Sequence, residues 1–218
     1  MNDDEVWAAV DGQRGRTADL LDQLKDDEWR QPSLCPGWTV RDVAAHLTLQ
    51  EAGIGEFLRS SITHPSSLGS INRMIRVTAQ HRAELPVDQL IARIRATVGS
   101  RRHNIGVTNL ETLTDILVHC QDIAIPLHRD LEMPVAPTAA AATRVWSYGG
   151  KGKARVFHKV PLQGMRLTAT DISWSVGDGR AVEGPIAAIL LLLTGRVAAL
   201  PRLTGQGAED LRQQLPPA

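Results

Sequence analysis

The sequence has few of the residues that mark several common functional classes. Its two cysteines, Cys35 and Cys120, cannot build a disulfide framework, and there is no Cys-x-x-Cys pair. It also has no glycine-rich phosphate loop and no signature of a Ser/His/Asp triad. These absences exclude a small disulfide-rich scaffold and remove the sequence basis for P-loop or serine-hydrolase chemistry.

The chain has no excess of charge and no long apolar run. Its 24 basic residues balance 24 acidic ones over 218 residues, so nothing indicates a nucleic-acid surface. The longest apolar stretch, Ile186 to Leu193, is too short to span a bilayer, and the amino terminus MNDDEVWAAV does not resemble a signal peptide. We therefore expect a cytoplasmic monomer or homodimer with reduced thiols that binds neither nucleic acid nor membrane.

The most informative stretch is LCPGWTVRDVAAHL, residues 34–47, which predicts a turn followed by a helix. Pro36 lacks a backbone donor and Gly37 tolerates any backbone angle, so no helix begins there. Thr39 offers a capping hydroxyl, and Asp42 follows three residues later, where an acidic side chain suits the positive helix end. The helix is therefore predicted to begin near Val40.

Two predicted helices carry polar side chains beside an apolar face. On the first, His46 and Gln50 are four residues apart and belong to one stripe. On the second, within ETLTDILVHCQDIAIPL, Asp115, His119 and Asp122 have spacings of i, i+4 and i+7 among mostly apolar residues. Each helix thus presents imidazole or carboxylate groups near the expected core.

We predict that His46, Asp115 and His119 bind one divalent metal, because helical bundles build metal sites from side chains on facing helices. Asp115 and His119 are neighbours on the helix surface and can reach one ion at about 2.0–2.2 Å. Three protein ligands leave a position open, as in catalytic sites. Zinc is the default metal, with iron, nickel or manganese as alternatives. The residues alone leave two alternatives open. Each histidine could be a core residue whose nitrogens are hydrogen-bonded, and Asp115 and His119 could be a simple pair on the helix surface.

Three sequence elements resemble the mycothiol-dependent maleylpyruvate isomerase family. They are WRQPSLCPGWTVRDVAAHL from Trp29, DILVHCQDIA from Asp115 and LTATDISWSVGDGRAVEGPIAAILLLLTGR from Leu167. The resemblance covers nearly the whole chain and is weakest over residues 57–102. It implies a mainly helical α+β protein, a DinB-like up-and-down four-helix bundle over residues 1–150 followed by a small α+β domain over 154–218, as in actinobacterial members.

The resemblance also implies the ligands and the chemistry. The family's metal ligands, a His in the first element and a carboxylate and a His four residues apart in the second, match His46, Asp115 and His119. The usual carboxylate is Glu, and Asp115 is one methylene shorter, so the metal should lie closer to the second helix or be reached through water. Mycothiol is the implied cofactor, and it would add to an electrophilic small molecule to give isomerisation or a stable adduct.

Further candidates surround this core. Asp122 could fix the tautomer of His119 or accept a hydrogen bond from the bound thiol. The resemblance implies an arginine of the carboxy-terminal domain that binds a substrate carboxylate, for which Arg166 and Arg180 are candidates, with surface or structural pairing as the alternative. The expected function is a mycothiol-dependent isomerase or transferase. The alternatives are a non-catalytic metal-binding or small-molecule-binding protein of this fold and a hydrolase whose metal activates water.

The carboxy-terminal pattern predicts three strands, with a reversal between the second and the third, and then a helix. Residues 165–170 alternate between apolar and polar side chains, and residues 172–176 form a second candidate strand. Gly177-Asp178-Gly179 predicts a tight hairpin whose partner strand begins at Ala181. An apolar helix from Ile186 to Thr194 should cover one face of the sheet.

Overall fold

The computed structural model describes residues 1–51, 71–104, 106–150, 157 and 160–215. The chain forms two compact units, Asn2–Glu132 and Met133–Ala218. The first is helical, and the second combines helices with a three-stranded sheet. The predicted α+β class with mainly helical content is confirmed. This boundary precedes the helix at Val135–Ser147, which the predicted first domain includes. The domain bounds of 1–150 and 154–218 stay a prediction.

The first unit is built from helices that pack around an aliphatic core. Helix α2 packs against α3, α4 and α5, and α1 packs against α4 and α5. The face of α2 that was predicted to be apolar is fully buried, with Val40, Val43 and Ala44 each at 0% exposure. The sequence predicts that this helix continues to about Ser60, but it ends at Leu47 and residues 48–51 form a turn, so Gln50 follows the helix. The rest of the predicted continuation lies outside the described residues. The helices are α1 Asp3–Asp22, α2 Val40–Leu47, α3 Ile71–Arg82, α4 Val87–Ala96 and α5 Asn109–Ala124, with a short 3-10 turn at Glu28–Arg30.

Reciprocal side-chain caps fix the start of α2. The hydroxyl of Thr39 accepts the backbone N–H of Asp42 at 3.2 Å, and the Asp42 carboxylate accepts the backbone N–H of Thr39 at 2.8 Å. Such a capping box satisfies two backbone donors that the helix leaves unpaired, and a cap of this kind typically contributes about 1 kcal/mol. The predicted helix start near Val40 is confirmed, and Asp42 serves that start.

In the second unit an apolar helix lies against the sheet. Helix α7 is buried from Ala188 to Leu192 and packs against α6, β1 and β3. The predicted apolar helix is confirmed, although it ends at Leu193, shortly before Gly195, which has a φ of 84°. No helix in the described ranges is long and apolar enough to cross a membrane. The elements are α6 Val135–Ser147, β1 Met165–Ala169, β2 Ser175–Gly177, β3 Arg180–Gly184, α7 Ile186–Leu193, a 3-10 helix at Val197–Arg202 and α8 Gln206–Gln214.

The strand order is β2-β1-β3, so the predicted hairpin is wrong. Strand β1 lies in the centre, antiparallel to β2 and parallel to β3. The chain does reverse at residues 177–179, but the reversal wraps around the beginning of β1, where the backbone N–H of Arg180 donates to the Gly164 carbonyl at 2.9 Å. Strands β2 and β3, which flank the reversal, therefore pair with opposite edges of β1 and not with each other. On the central strand β1, the side chains of Met165 and Leu167 are buried in the core.

We expect Gly179→Ala to destabilise the second unit by about 1–3 kcal/mol. Gly179 has a φ of 115°, and a Cβ there would overlap the carbonyl oxygen of Gly164. Gly164→Ala is the matched control, because Gly164 also has a positive φ, 70°, but faces open space. Urea unfolding should show the larger loss in Gly179→Ala, and equal losses would contradict the close approach.

Candidate metal centre

Helices α2 and α5 bring His46, Asp115 and His119 together. Asp115 Oδ1 lies 3.3 Å from His46 Nε2 and 3.5 Å from His119 Nε2. The ligand atoms of the three residues all lie within 4.8 Å of one another. Ligands about 2.0–2.1 Å from a tetrahedral ion are separated by about 3.3 Å. The distances from the carboxylate to both imidazoles match that separation.

The short side chain of Asp115 reaches both imidazoles directly. One carboxylate oxygen faces the two Nε2 atoms, and Gln50 Nε2 donates to the other oxygen at 2.8 Å. Burial alone would raise the pKa of Asp115, but the charges of His46 and His119 and the hydrogen bonds from His46 and Gln50 hold this pKa well below its usual range. Asp115 is therefore an anionic group at neutral pH.

Asp122 determines which nitrogen of His119 faces Asp115. Its Oδ2 lies 2.8 Å from His119 Nδ1, and its side chain is fully buried. An ionised carboxylate can only accept a hydrogen bond, so Nδ1 carries a proton. When His119 is neutral, its lone pair is therefore on Nε2, the nitrogen that faces Asp115. A carboxylate that fixes the tautomer in this way is typical of metal-binding histidines.

Packing orients the ring of His46. It meets Trp38 edge-on, with ring centroids 5.6 Å apart, and lies at 71° to the ring of His119, with centroids 4.7 Å apart. Its Nδ1 is buried and has no hydrogen-bond partner among the residues that the structure describes. The aromatic neighbours therefore hold the ring, and Nε2 is the nitrogen that meets Asp115.

The turn before α2 is attached to α5 beside the site. The backbone N–H of Leu34 donates to the Asp122 carbonyl at 3.1 Å, and the Cys35 thiol donates to Asp122 Oδ2 at 3.1 Å. Cys35 Sγ also lies 3.7 Å from His119 Nδ1. Cys35, His119 and Asp122 thus form a second group with donor atoms close together. Because hydrogen bonds already join its members, this group supports His119.

Cys120, the other cysteine, is buried in the interior of the first unit. Its side chain is fully buried and accepts a hydrogen bond from Gln13 Nε2 at 3.0 Å, and burial raises its pKa to about 12.

We expect Cys120 to resist iodoacetamide in the native protein, since roughly one thiol in ten thousand is ionised near pH 8. Peptide mass spectrometry before and after denaturation tests this, and rapid labelling of Cys120 in the native protein would contradict it.

Arg166 and Arg180 lie in the carboxy-terminal unit. Arg166, exposed on β1, donates from Nε to Ser175 Oγ at 3.3 Å. Arg180 Nη1 lies 2.7 Å from Asp210 Oδ2, which joins β3 to α8. That ion pair matches the structural alternative considered for Arg180. A role for either arginine at a substrate carboxylate stays a prediction.

A polar interior that the sequence patterns did not indicate lies behind the site. Arg14 is fully buried and donates to Gln50 Oε1 at 3.2 Å and to the Thr97 carbonyl at 2.6 Å. Through Gln50 it is connected to Asp115. The signal was present, because Arg14 follows the buried Val10 by four residues and therefore lies on the apolar face of α1.

Comparisons with known proteins agree with the fold and the sequence elements. Residues 10–106 match the family described as the mycothiol maleylpyruvate isomerase N-terminal domain. A crystal structure of a histidine-to-alanine mutant of the mycothiol-dependent maleylpyruvate isomerase is 14% identical, with a TM-score of 0.62. A further crystal structure, of the mycothiol-dependent maleylpyruvate isomerase, is 15% identical, with a TM-score of 0.58.

Each structural match covers 95% of this chain and 94% of the other, which confirms the predicted fold of a DinB-like bundle followed by a small α+β unit. No curated protein matches the sequence. The predicted resemblance is confirmed over residues 10–106, which match the model of the mycothiol maleylpyruvate isomerase N-terminal domain family.

Proposed function

We propose that this protein is a metal-dependent enzyme that uses mycothiol to add to, or isomerise, a small electrophilic substrate. The observation that carries the proposal is the position of Asp115 Oδ1, 3.3 Å and 3.5 Å from imidazole nitrogens on two different helices. The family of residues 10–106 supports the choice of thiol, because its description names mycothiol and maleylpyruvate isomerase.

The donor set fits a divalent cation. His46 Nε2, Asp115 Oδ1 and His119 Nε2 would hold the ion, and two imidazoles with one carboxylate favour zinc. Such an ion, when bound, supplies a positive charge that lowers the pKa of a coordinated thiol. Three ligands from the protein leave a position for that thiol.

The protein's own side chains prepare the site for the thiol and the substrate. Asp122 keeps the proton of His119 on Nδ1, and Trp38 limits rotation of the His46 ring. Asp122 also remains a candidate to accept a hydrogen bond from the bound thiol. Because these groups are already held in place, little rearrangement is needed on binding.

The proposed reaction is addition of the thiol to an electrophilic carbon. Addition to a carbon–carbon double bond leaves a single bond that can rotate, and elimination of the thiol then gives the other isomer. If the adduct does not eliminate, it is the product of a transferase. Arg166 and Arg180 remain proposed partners for a carboxylate on the substrate, since a guanidinium binds a carboxylate with two hydrogen bonds.

Metal analysis followed by calorimetry with mycothiol tests the proposal. We expect stoichiometric divalent metal in the purified protein and thiol binding that is lost when a chelator removes the metal. Maleylpyruvate should then be tested as the first electrophile. Bound metal without any affinity for mycothiol would contradict the proposal and favour a metal-dependent hydrolase or a non-catalytic binding protein.

A further inference from the structure

A chain of polar side chains runs from the candidate metal centre to α1. Arg14 Nε donates to Gln50 Oε1 at 3.2 Å, and Gln50 Nε2 donates to Asp115 Oδ2 at 2.8 Å. We propose that Gln50, held by Arg14, is a positioning residue that leaves only Oδ1 of Asp115 available to the metal. The inference rests on the metal-binding part of the proposed function.

The hydrogen-bonding capacities of the three groups fix the orientation of the Gln50 amide. A guanidinium has only donors, so the amide oxygen of Gln50 must face Arg14. The amide NH₂ then faces Asp115, whose ionised carboxylate has only acceptors. Reversing the amide would place two donors against each other at one end and two acceptors at the other. The chain therefore has one satisfactory arrangement.

Arg14 is itself firmly anchored. Its side chain is fully buried, and Nη1 donates to the carbonyl of Thr97 at 2.6 Å and to that of Ser100 at 3.4 Å. These carbonyls follow the last turn of α4, where the helix dipole favours a positive charge. Asp11 and Glu51, at 3.7 Å and 3.6 Å, balance the buried charge. A guanidinium with this many contacts provides a rigid support for Gln50.

The hydrogen bond from Gln50 determines which oxygen of Asp115 faces the imidazoles. Because Gln50 occupies Oδ2, the carboxylate presents Oδ1 to both imidazoles and cannot rotate without losing a partly buried hydrogen bond. The ligand set is thus ordered before any cation arrives, which lowers the entropic cost of binding. Without Gln50, Asp115 could turn and offer both oxygens to the ion.

Gln50→Met removes the amide while keeping a side chain of similar length. We expect Zn²⁺ affinity, measured by competition with a chromophoric chelator, to fall about 10–100-fold. The Co²⁺-loaded protein should also change its visible spectrum, since a second carboxylate oxygen raises the coordination number. Gln121→Met is the matched control, because Gln121 is 6% exposed against 5% for Gln50 and donates to the Leu131 carbonyl rather than to a ligand.

Three outcomes would overturn the inference. Gln50→Met could bind Zn²⁺ like the wild type with an unchanged Co²⁺ spectrum, or Gln121→Met could lose as much affinity, which would indicate a merely structural effect. A wild-type protein that binds neither ion would overturn the proposed function as well.

Arg14→Lys tests whether Arg14 holds Gln50. The substitution keeps the buried charge but removes the Nε donor, so we expect a smaller loss of Zn²⁺ affinity than in Gln50→Met. No loss of affinity would mean that Arg14 does not hold Gln50.

Discussion

The variant His46→Ala is expected to lose metal during purification. His46 is the one proposed ligand from α2, so its removal leaves only Asp115 and His119, both on α5. The loss in Zn²⁺ affinity should exceed the roughly 100-fold limit typical of changes to groups that only support a ligand. Metal content after gel filtration, together with chelator competition, measures the effect.

A histidine away from the site provides the control for this variant. His81 on α3 is exposed and pairs with Glu84 at 3.4 Å, so His81→Ala should retain full metal content. Circular dichroism of both variants separates loss of metal from loss of fold. If folded His46→Ala retains stoichiometric metal with wild-type affinity, His46 is not a ligand and the proposed centre is wrong.

The local features of the site could be predicted from the sequence because they depend on short spacings. Thr39 and Asp42 define a helix start, and the interval from Asp115 to His119 places both side chains on one helix surface. The position of Asp122 beside the same ring follows from similar spacing. His46 is different, because its approach to α5 depends on how two helices pack. Only the family resemblance, and the fact that helical bundles build metal sites from facing helices, indicated this approach.

The parts that could not be predicted depend on contacts distant in sequence. Arg14 resembles a surface residue by type, and its burial becomes understandable only with the acceptors at the end of α4 and the carboxylates around it. The strand partners were missed for a related reason. Alternation and an Asp-Gly turn predict strands and a reversal, but they do not identify β1 as the strand that both β2 and β3 contact.

The variant Asp122→Asn should impair metal binding although Asp122 is not one of the three proposed ligands. Asn has nearly the same shape as Asp, but its amide can donate a hydrogen bond to His119 Nδ1 and so shift the ring proton to Nε2. His119 would then present N–H, rather than a lone pair, toward Asp115. We expect Zn²⁺ affinity to fall about 10–100-fold, and ¹⁵N spectra of the imidazoles in metal-free protein should report the change of tautomer.

Asp42→Asn is the matched control for this substitution, since Asp42 accepts the backbone N–H of Thr39 in the capping box and the amide oxygen of Asn can accept the same bond. That variant should keep wild-type metal affinity with little loss of stability. Asp122→Ala should be the more damaging change to the fold, by about 1–3 kcal/mol, because His119 Nδ1–H and the Cys35 thiol both lose a buried acceptor. Wild-type affinity and an unchanged His119 tautomer in Asp122→Asn would mean that Asp122 contributes to packing alone.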